Sequence, residues 1–465
     1  MTDATAPSPR GSALERHFRI RERGSSVRIE SLGGLSTFLT MCYIVFVNPA
    51  ILSQAGLPFA AVAVATALAA GVATIVMGLV ANYPLALASG LGINALVAFD
   101  IIIGQQVGWQ VGMACVVIEG VIAVVLVLAG LRESIVRAVP TSLKLAIGVG
   151  IGLFITFVGL RDGGVVVNDP ATGVGLGDLT AGPPLIALAG ILVAAALAVR
   201  GVRGSILIGI ATTTVLGLVF GVLDGPSGVA QIPSSSDFDT IGEGLKPGNL
   251  ADALTWALVP TIFALFMTDF FDTIGTAVAV GTQGELTDEE GNLPEMRRVL
   301  LVDSGAAAFG GAMGVSSVTT FVESGAGIGE GARTGFANLV TGGLFLLSIF
   351  FVPLIEVVGQ SVPYVADSTV TPAIAPALVM VGFLMMRLVS AIEWSRPEHG
   401  LPAFLMIAGI PLTFSIAAGI GFGIIGYVVA MIARGRTREI HPLMWLLVPL
   451  FLAFFADDWL SANVF

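Results

Sequence analysis

The sequence predicts an all-α polytopic membrane protein whose chain crosses the bilayer fourteen times, as two seven-span halves of opposite orientation. Three observations carry that reading. The 465 residues are 55% hydrophobic and only 11% charged, with mean hydropathy +0.94, whereas a soluble chain carries about 25% charged residues. Basic residues fall almost entirely on one side once the apolar runs are threaded alternately. Segments broken by glycine and proline recur at matching places in the two halves.

Apolar runs at about 33–53, 59–81, 84–104, 109–130, 141–160, 183–200, 204–223, 252–282, 298–314, 316–332, 335–358, 371–390, 400–412 and 413–433 supply the spans. A straight span needs about 20 residues and a broken one fewer. The 59 glycines suit helices that pack closely or break inside lipid. A last run, Leu443–Phe455, is short for a span and reads better as an interfacial helix than as a fifteenth crossing.

With the N-terminus in the cytoplasm, the inner side receives Arg10, Arg16, Arg19, Arg21, Arg23, Arg28, Arg132, Arg137, Lys144, Arg200, Arg203, Arg297, Arg298, Arg333, Arg387, Arg396, Arg434, Arg436 and Arg438. Only Arg161 and Lys246 fall outside, so 19 of 21 basic residues obey the positive-inside rule. The outer loops 161–182 and 224–251 are acidic, which the rule permits. Residues 1–30 are polar and arginine-rich, with no apolar stretch ahead of a cleavage site, so no signal peptide is expected.

The halves match in detail. Residues 139–150 (VPTSLKLAIGVG) open the fifth span, and residues 370–382 (VTPAIAPALVMVG) open the twelfth, seven spans later. The third span begins PLALASGLGINA at Pro84, and the tenth begins SVTTFVESGAGI at Ser317. Each of these two runs into a Gly-rich turn bearing one polar side chain, Asn94 or Glu323. Short extended segments are therefore expected in spans three and ten. An odd number of spans per repeat inverts the second copy, and broken segments at matching places point to a transporter's binding site.

Acids at membrane depth single out candidate residues. An ionised carboxylate there costs on the order of 2.5–3.5 kcal/mol or more, so such groups usually bind something or carry protons. The run FMTDFFDTIGT (266–276) places Asp269, Asp272 and Thr276 on one helical face, and SSVTTFVESGAG (316–327) carries Glu323. Asp272 and Glu323 adjoin Gly-rich breaks and are read as functional. Asn94 is either a ligand-binding amide or a helix-packing hydrogen bonder. Asp269 is expected near the outer mouth and solvated. Asp303 is expected to partner Ser, Thr or backbone donors, and Glu119 to make a structural hydrogen bond. Unpaired backbone groups of two part-extended spans, an amide and two acids together suit a flat heterocycle with donors and acceptors on its edge.

Several classes are excluded. Cys42 and Cys115 lie in apolar runs and give neither a disulfide framework nor metal-ligand spacing. His17, His399 and His441 sit near segment ends or in the tail, so no metal site, cofactor or histidine-based enzyme chemistry is expected. The net charge of −11 is read as acidic exposed loops rather than as a sign of a basic partner, and nucleic-acid binding is not expected.

At these residues the chain resembles a known family. GLSTFLTMCYIVFVNP (34–49), GLGINA (90–95), FDTIGT (271–276), SSVTTFVES (316–324) and GARTG (331–335) are similar to the azaguanine-permease (AzgA-like) branch of nucleobase–cation symporter family 2, over about residues 18–433. The resemblance implies a uracil-permease-like fold of seven plus seven inverted spans. A cytoplasmic segment (1–30) would precede a core domain (31–138 and 252–360, spans 1–4 and 8–11). A gate domain (139–225 and 361–433, spans 5–7 and 12–14), an outer loop (226–251) and a C-terminal tail (434–465) would complete it.

The resemblance further implies proton-coupled uptake of adenine, guanine or hypoxanthine across the plasma (inner) membrane, and a homodimer formed through the gate domains. The family's binding residues carry over onto Asn94, Asp272 and Glu323, the two acids also coupling protons. Thr276 shares the face of Asp272, and Phe321 is placed to stack on the base. Family members often have an amide where this chain has Asp269. The rival reading is an anion carrier (for sulfate or bicarbonate) on the same fold; it is disfavoured because anion sites want cations rather than acids.

Overall fold

A computed structural model describes residues 13–130, 139–288, 293–365 and 368–456. The expected inner-side positions of Arg10, Arg132 and Arg137, and Glu289 and Glu290 of the charged 285–290 loop, lie outside the described residues.

The chain is helical, and its apolar runs become helices close to the expected bounds. A short α1 (Ala13–Phe18) precedes α2 (Val27–Met41), α3 (Ile44–Gln54) and α4 (Phe59–Val80). Strand β1 (Leu87–Ser89) leads into α5 (Leu91–Ala95), which continues as a π-helical turn over Leu96–Gly104. Helices α6 (Trp109–Leu128) and α7 (Thr141–Asp162) follow, then the small hairpin of β2 (Val166–Val167) and β3 (Gly175–Leu176). Next come α8 (Gly182–Val199), α9 (Ser205–Val219), α10 (Pro247–Ala253), α11 (Val259–Gln283) and α12 (Met296–Met313). Strand β4 (Val318–Thr320) leads into α13 (Ser324–Gly329), followed by α14 (Phe336–Ser348) and α15 (Val352–Val358). A second small hairpin, β5 (Val362–Pro363) with β6 (Thr369–Val370), precedes α16 (Ala375–Met386), α17 (Pro397–Thr413), α18 (Ile416–Ala433) and α19 (Pro442–Phe455).

Nine helical segments among the described residues are long and apolar enough to cross a membrane. The first of them is α2 with α3, interrupted at Cys42–Tyr43. The terminal α19 is apolar on all faces: Met444, Leu447 and Phe451 are buried against the protein, and the helix packs on α18.

Extended backbone interrupts the third and tenth apolar runs, as expected. β1 and β4 pair antiparallel, with Leu87 opposite Thr320 and Ser89 opposite Val318. Both strands are wholly buried. In lipid an isolated strand would leave its amides unpaired, so the two breaks satisfy each other. Phe321 N–H extends the ladder to Ala86 O at 2.9 Å, and Gly90 N–H reaches Ser317 O at 3.0 Å. The turn into β4 needs left-handed backbone: Gly314 has φ +76° and Ser316 has φ +68°.

Helices α2–α6 and α11–α14 pack mainly on one another, as do α7–α9 and α16–α18. Glycine sets the closest of these approaches. A side chain at Gly120 of α6 would collide with the Ala308 backbone of α12, and one at Gly327 of α13 would collide with Thr37 and the Gly33 carbonyl of α2.

Candidate functional site

The site is assembled where the β1–β4 pair meets α11 and the break between α2 and α3. Glu323 is the residue that opens α13, directly after Phe321 and Val322 leave the strand. Its carboxylate accepts a 2.5 Å hydrogen bond from the Tyr43 hydroxyl, and its backbone carbonyl one of 3.4 Å from Thr40. Tyr43 itself is buried between α2 and α3.

Asp272 lies at the middle of the 25-residue α11. It feels the charge of Glu323, and Tyr43 feels both acids, so the three groups share one neighbourhood. Gln283 of α11 donates to Gly325 O of α13 at 3.0 Å, which fixes the two helices side by side. Asp272 is exposed and Glu323 partly so, whereas the flanking Phe270, Thr273 and Ser324 are buried. Exposure of a carboxylate at this depth requires water rather than lipid, because an ionised acid facing hydrocarbon costs several kcal/mol (~2.5–3.5 or more).

Asn94 is sealed in, 0% exposed, on α5. Its Oδ1 accepts from the Ser89 hydroxyl at 2.8 Å and from the Ser316 hydroxyl. Its Nδ2 has no hydrogen-bond partner among the described residues. Two fixed acceptor contacts orient the amide and leave its donor end free. Phe321 and Thr276 are nearly buried, at 6% and 8% exposure. Phe321 thus begins with its ring against protein rather than open space.

Two expectations are corrected. Asp269 is not solvated at an outer mouth but 2% exposed, facing Ser317, Thr319 and Glu119. The reason is its helical position: three residues before Asp272, it turns toward β4 and α6 instead of outward. Glu119 is 0% exposed and takes no hydroxyl or backbone donor among the described residues; the group it faces is another acid, the Asp269 carboxyl. Asp303 does take Ser/Thr and backbone donors, accepting from Thr273 at 2.5 Å and from Thr320 N–H at 2.9 Å.

Sequence reasoning missed Tyr43 and Ser316 as parts of the site. Tyr43 had a signal: it is a tyrosine inside an otherwise apolar span, in the TMCYIVF run. Ser316 had none, because its role depends on a left-handed backbone that serine rarely adopts.

The Permease family profile Xan_ur_permease matches residues 28–440. The guanine/hypoxanthine permease PbuG of Bacillus subtilis is 42% identical over 452 residues, covering 95% of this chain and 99% of that one. The adenine permease AdeP of Escherichia coli is 38% identical over 439 residues, covering 94% and 95%. Among solved structures, the transmembrane domain of the cyanobacterial bicarbonate transporter BicA superposes with a TM-score of 0.56 at 14% identity, covering 87% of this chain and 96% of that one. That likeness concerns the fold alone.

Proposed function

The chain belongs to the xanthine/uracil permease family, a family of transporters rather than enzymes, and from that premise we propose that it imports purine nucleobases such as adenine, guanine or hypoxanthine in symport with protons. The observation that carries this reading is that Asp272 lies within electrostatic reach of Glu323 beside two broken, strand-paired segments. Carboxylates accept from a purine's ring and exocyclic N–H groups, and the free Asn94 amide supplies a donor. Thr276 and Phe321 complete the substrate contacts, Phe321 stacking on the base once the site opens. PbuG and AdeP are named for purines, which supports the substrate class.

The fold reading is fourteen spans in seven-plus-seven inverted repeat. The antiparallel β1–β4 pair supports it, since equivalent strands of inverted copies run in opposite directions. The core comprises residues 31–138 and 252–360; the gate comprises 139–225 and 361–433. Contacts support the alternation of sides. The Arg203–Glu330 pair joins two turns assigned inside, and Gln54–Asp162 and Gln360–Asp224 join turns assigned outside.

In the cycle, purine binds with a proton on Asp272 or Glu323. Neutralising one acid removes a charge that would resist movement of the core, and the core then shifts against the gate in the plasma membrane. A homodimer through the gate fits the exposed apolar face of α8 and α9, with Leu192, Val199 and Val215 outward. The anion-carrier alternative is disfavoured, because the groups around the site are acids.

Radiolabelled purine uptake in cells stripped of their own purine carriers tests the reading. Asp272→Ala and Glu323→Ala should abolish uptake while the protein still reaches the membrane. Unlabelled purines should compete in the unmodified protein, and a protonophore should collapse accumulation. Normal transport by either variant overturns the site assignment.

A further inference from the structure

A second group of acids lies against β4. Glu119 of α6, Asp269 of α11 and Asp303 of α12 are 0%, 2% and 3% exposed. The Glu119 and Asp269 carboxyls face each other, and Asp303 acts on both. Asp303 is satisfied by Thr273 and the Thr320 amide, as described. The other two are not: among the described residues, both Glu119 oxygens and Asp269 Oδ1 lack a partner of normal geometry. The Ser317 hydroxyl, 0% exposed and facing Asp269, is also unpartnered.

The other charged groups near these helices are engaged or distant. Asp272 of α11 reaches Asp303. Lys144 of α7 lies 4.9 Å over the Phe271 ring. Asp100 of the π turn binds the start of α18, Glu243 binds Lys246, and Asp252 is exposed.

Two carboxylates pressed together away from water cannot both stay ionised; one proton turns the clash into a donor–acceptor pair. A metal ion is the other remedy, but among the described residues no three acids, histidines or cysteines come close enough to hold one. We infer that Glu119 and Asp269 form a second proton site, holding one exchangeable proton between their carboxyls with the Ser317 hydroxyl as an additional donor. The pair is separate from the purine-binding acids. Thr319, which faces Asp269 and lies 2.8 Å from Thr273, links the pair through Thr273 to Asp303 within the buried group. Because Asp272 feels Asp269, loss of the pair's proton would add a negative charge next to the substrate acids. The proposal deepens the proton-coupled reading and rests on it for its transport consequence.

Infrared spectroscopy of the purified, purine-free full-length protein reads the site directly. A protonated-carboxyl band should be present at neutral pH, shift in deuterated water, and be lost or displaced in Glu119→Gln but kept in Glu323→Gln. A band untouched by both Glu119→Gln and Asp269→Asn overturns the site. The transport consequence is read from the pH profile of purine exchange in proteoliposomes. Glu119→Gln is a permanent neutral mimic, so it should abolish one alkaline inflection and stay active to higher pH. An unchanged profile with a changed band reduces the pair to a structural proton and overturns its exchange. Failure of the proton-coupled reading looks different: unmodified protein whose purine accumulation ignores an imposed proton gradient.

Discussion

The two broken segments share a backbone plan and differ in what their one polar side chain does. β1 runs through Gly90 into α5, where Asn94 is sealed and its oxygen holds the hydroxyls of Ser89 and Ser316. β4 runs through Phe321 into α13, where Glu323 stays partly exposed and is steadied by Tyr43. Ser316 belongs to the β4 copy, so the Asn94 contact binds one copy to the other. The inverted plan therefore divides labour: the amide copy locks the strand pair, and the acid copy presents a group whose charge can change. A carboxylate can be neutral or ionised near neutral pH once its surroundings disfavour charge, and an amide cannot.

The sharpest way to break this comparison is to make the copies alike. Glu323→Gln keeps the shape but removes the titratable group and the charge from its hydrogen bonds. Uptake should fall at least ~100-fold, the scale of a lost charged hydrogen bond of ~3 kcal/mol. Membrane insertion and melting temperature should be unchanged. Uptake within a few-fold of normal would show that the acid copy acts as the amide copy does.

Removing the lock gives the next largest effect, and in a different observable. Asn94→Ala leaves the Ser316 hydroxyl buried without its acceptor, while Ser89 keeps the Val315 carbonyl, at about 1–3 kcal/mol for the unsatisfied group. The melting temperature should drop clearly, and purine affinity should weaken about tenfold through the lost Nδ2 donor, worth ~1 kcal/mol. A stable variant with normal affinity would remove Asn94 from both roles.

Much of this was legible in the sequence because membrane physics leaves few options. Apolar runs of the right length must be helices, and backbone breaks inside them must find each other. That reasoning located both extended segments and brought forward Asn94, Asp272 and Glu323 as candidates. It failed where direction, not identity, decides. Asp269 and Asp272 are the same residue type on the same helix, yet one is buried against β4 and the other is open. Helical periodicity places them on neighbouring azimuths but does not say which faces water. Glu119 misled for a related reason: the acid it faces, Asp269, comes from 150 positions away on another helix.

Tyr43→Phe sharpens the acid side of the comparison. It deletes the 2.5 Å donor to Glu323 and little else. A hydrogen bond to a charged group contributes ~1.5–3 kcal/mol. Part of that is recovered from water at this partly open carboxylate, so KM should rise about tenfold with modest change in maximal rate. If KM holds while the maximal rate collapses, Tyr43 serves the moving step rather than Glu323's placement.

The smallest effect probes what each copy grips beyond the strand pair. On the β1 side, Asp100 of the π turn accepts from the Ser415 hydroxyl at 2.9 Å and from Ala417 N–H at 2.8 Å, at the N-terminus of α18. On the β4 side the corresponding grip is Glu330 with Arg203, an exposed ion pair. A buried carboxylate on a helix N-terminus contributes up to ~2 kcal/mol, whereas an exposed ion pair contributes ~0–1 kcal/mol. If the strand pair travels against α18 during transport, the Asp100 contact must break in every cycle and the Glu330 contact hardly matters. Asp100→Asn keeps an acceptor oxygen and removes the charge, so it should change the maximal purine exchange rate a few-fold at constant KM. Glu330→Gln should leave both unchanged. Equal, small effects from the two variants would mean that α18 moves together with the strand pair, and that the moving boundary lies elsewhere.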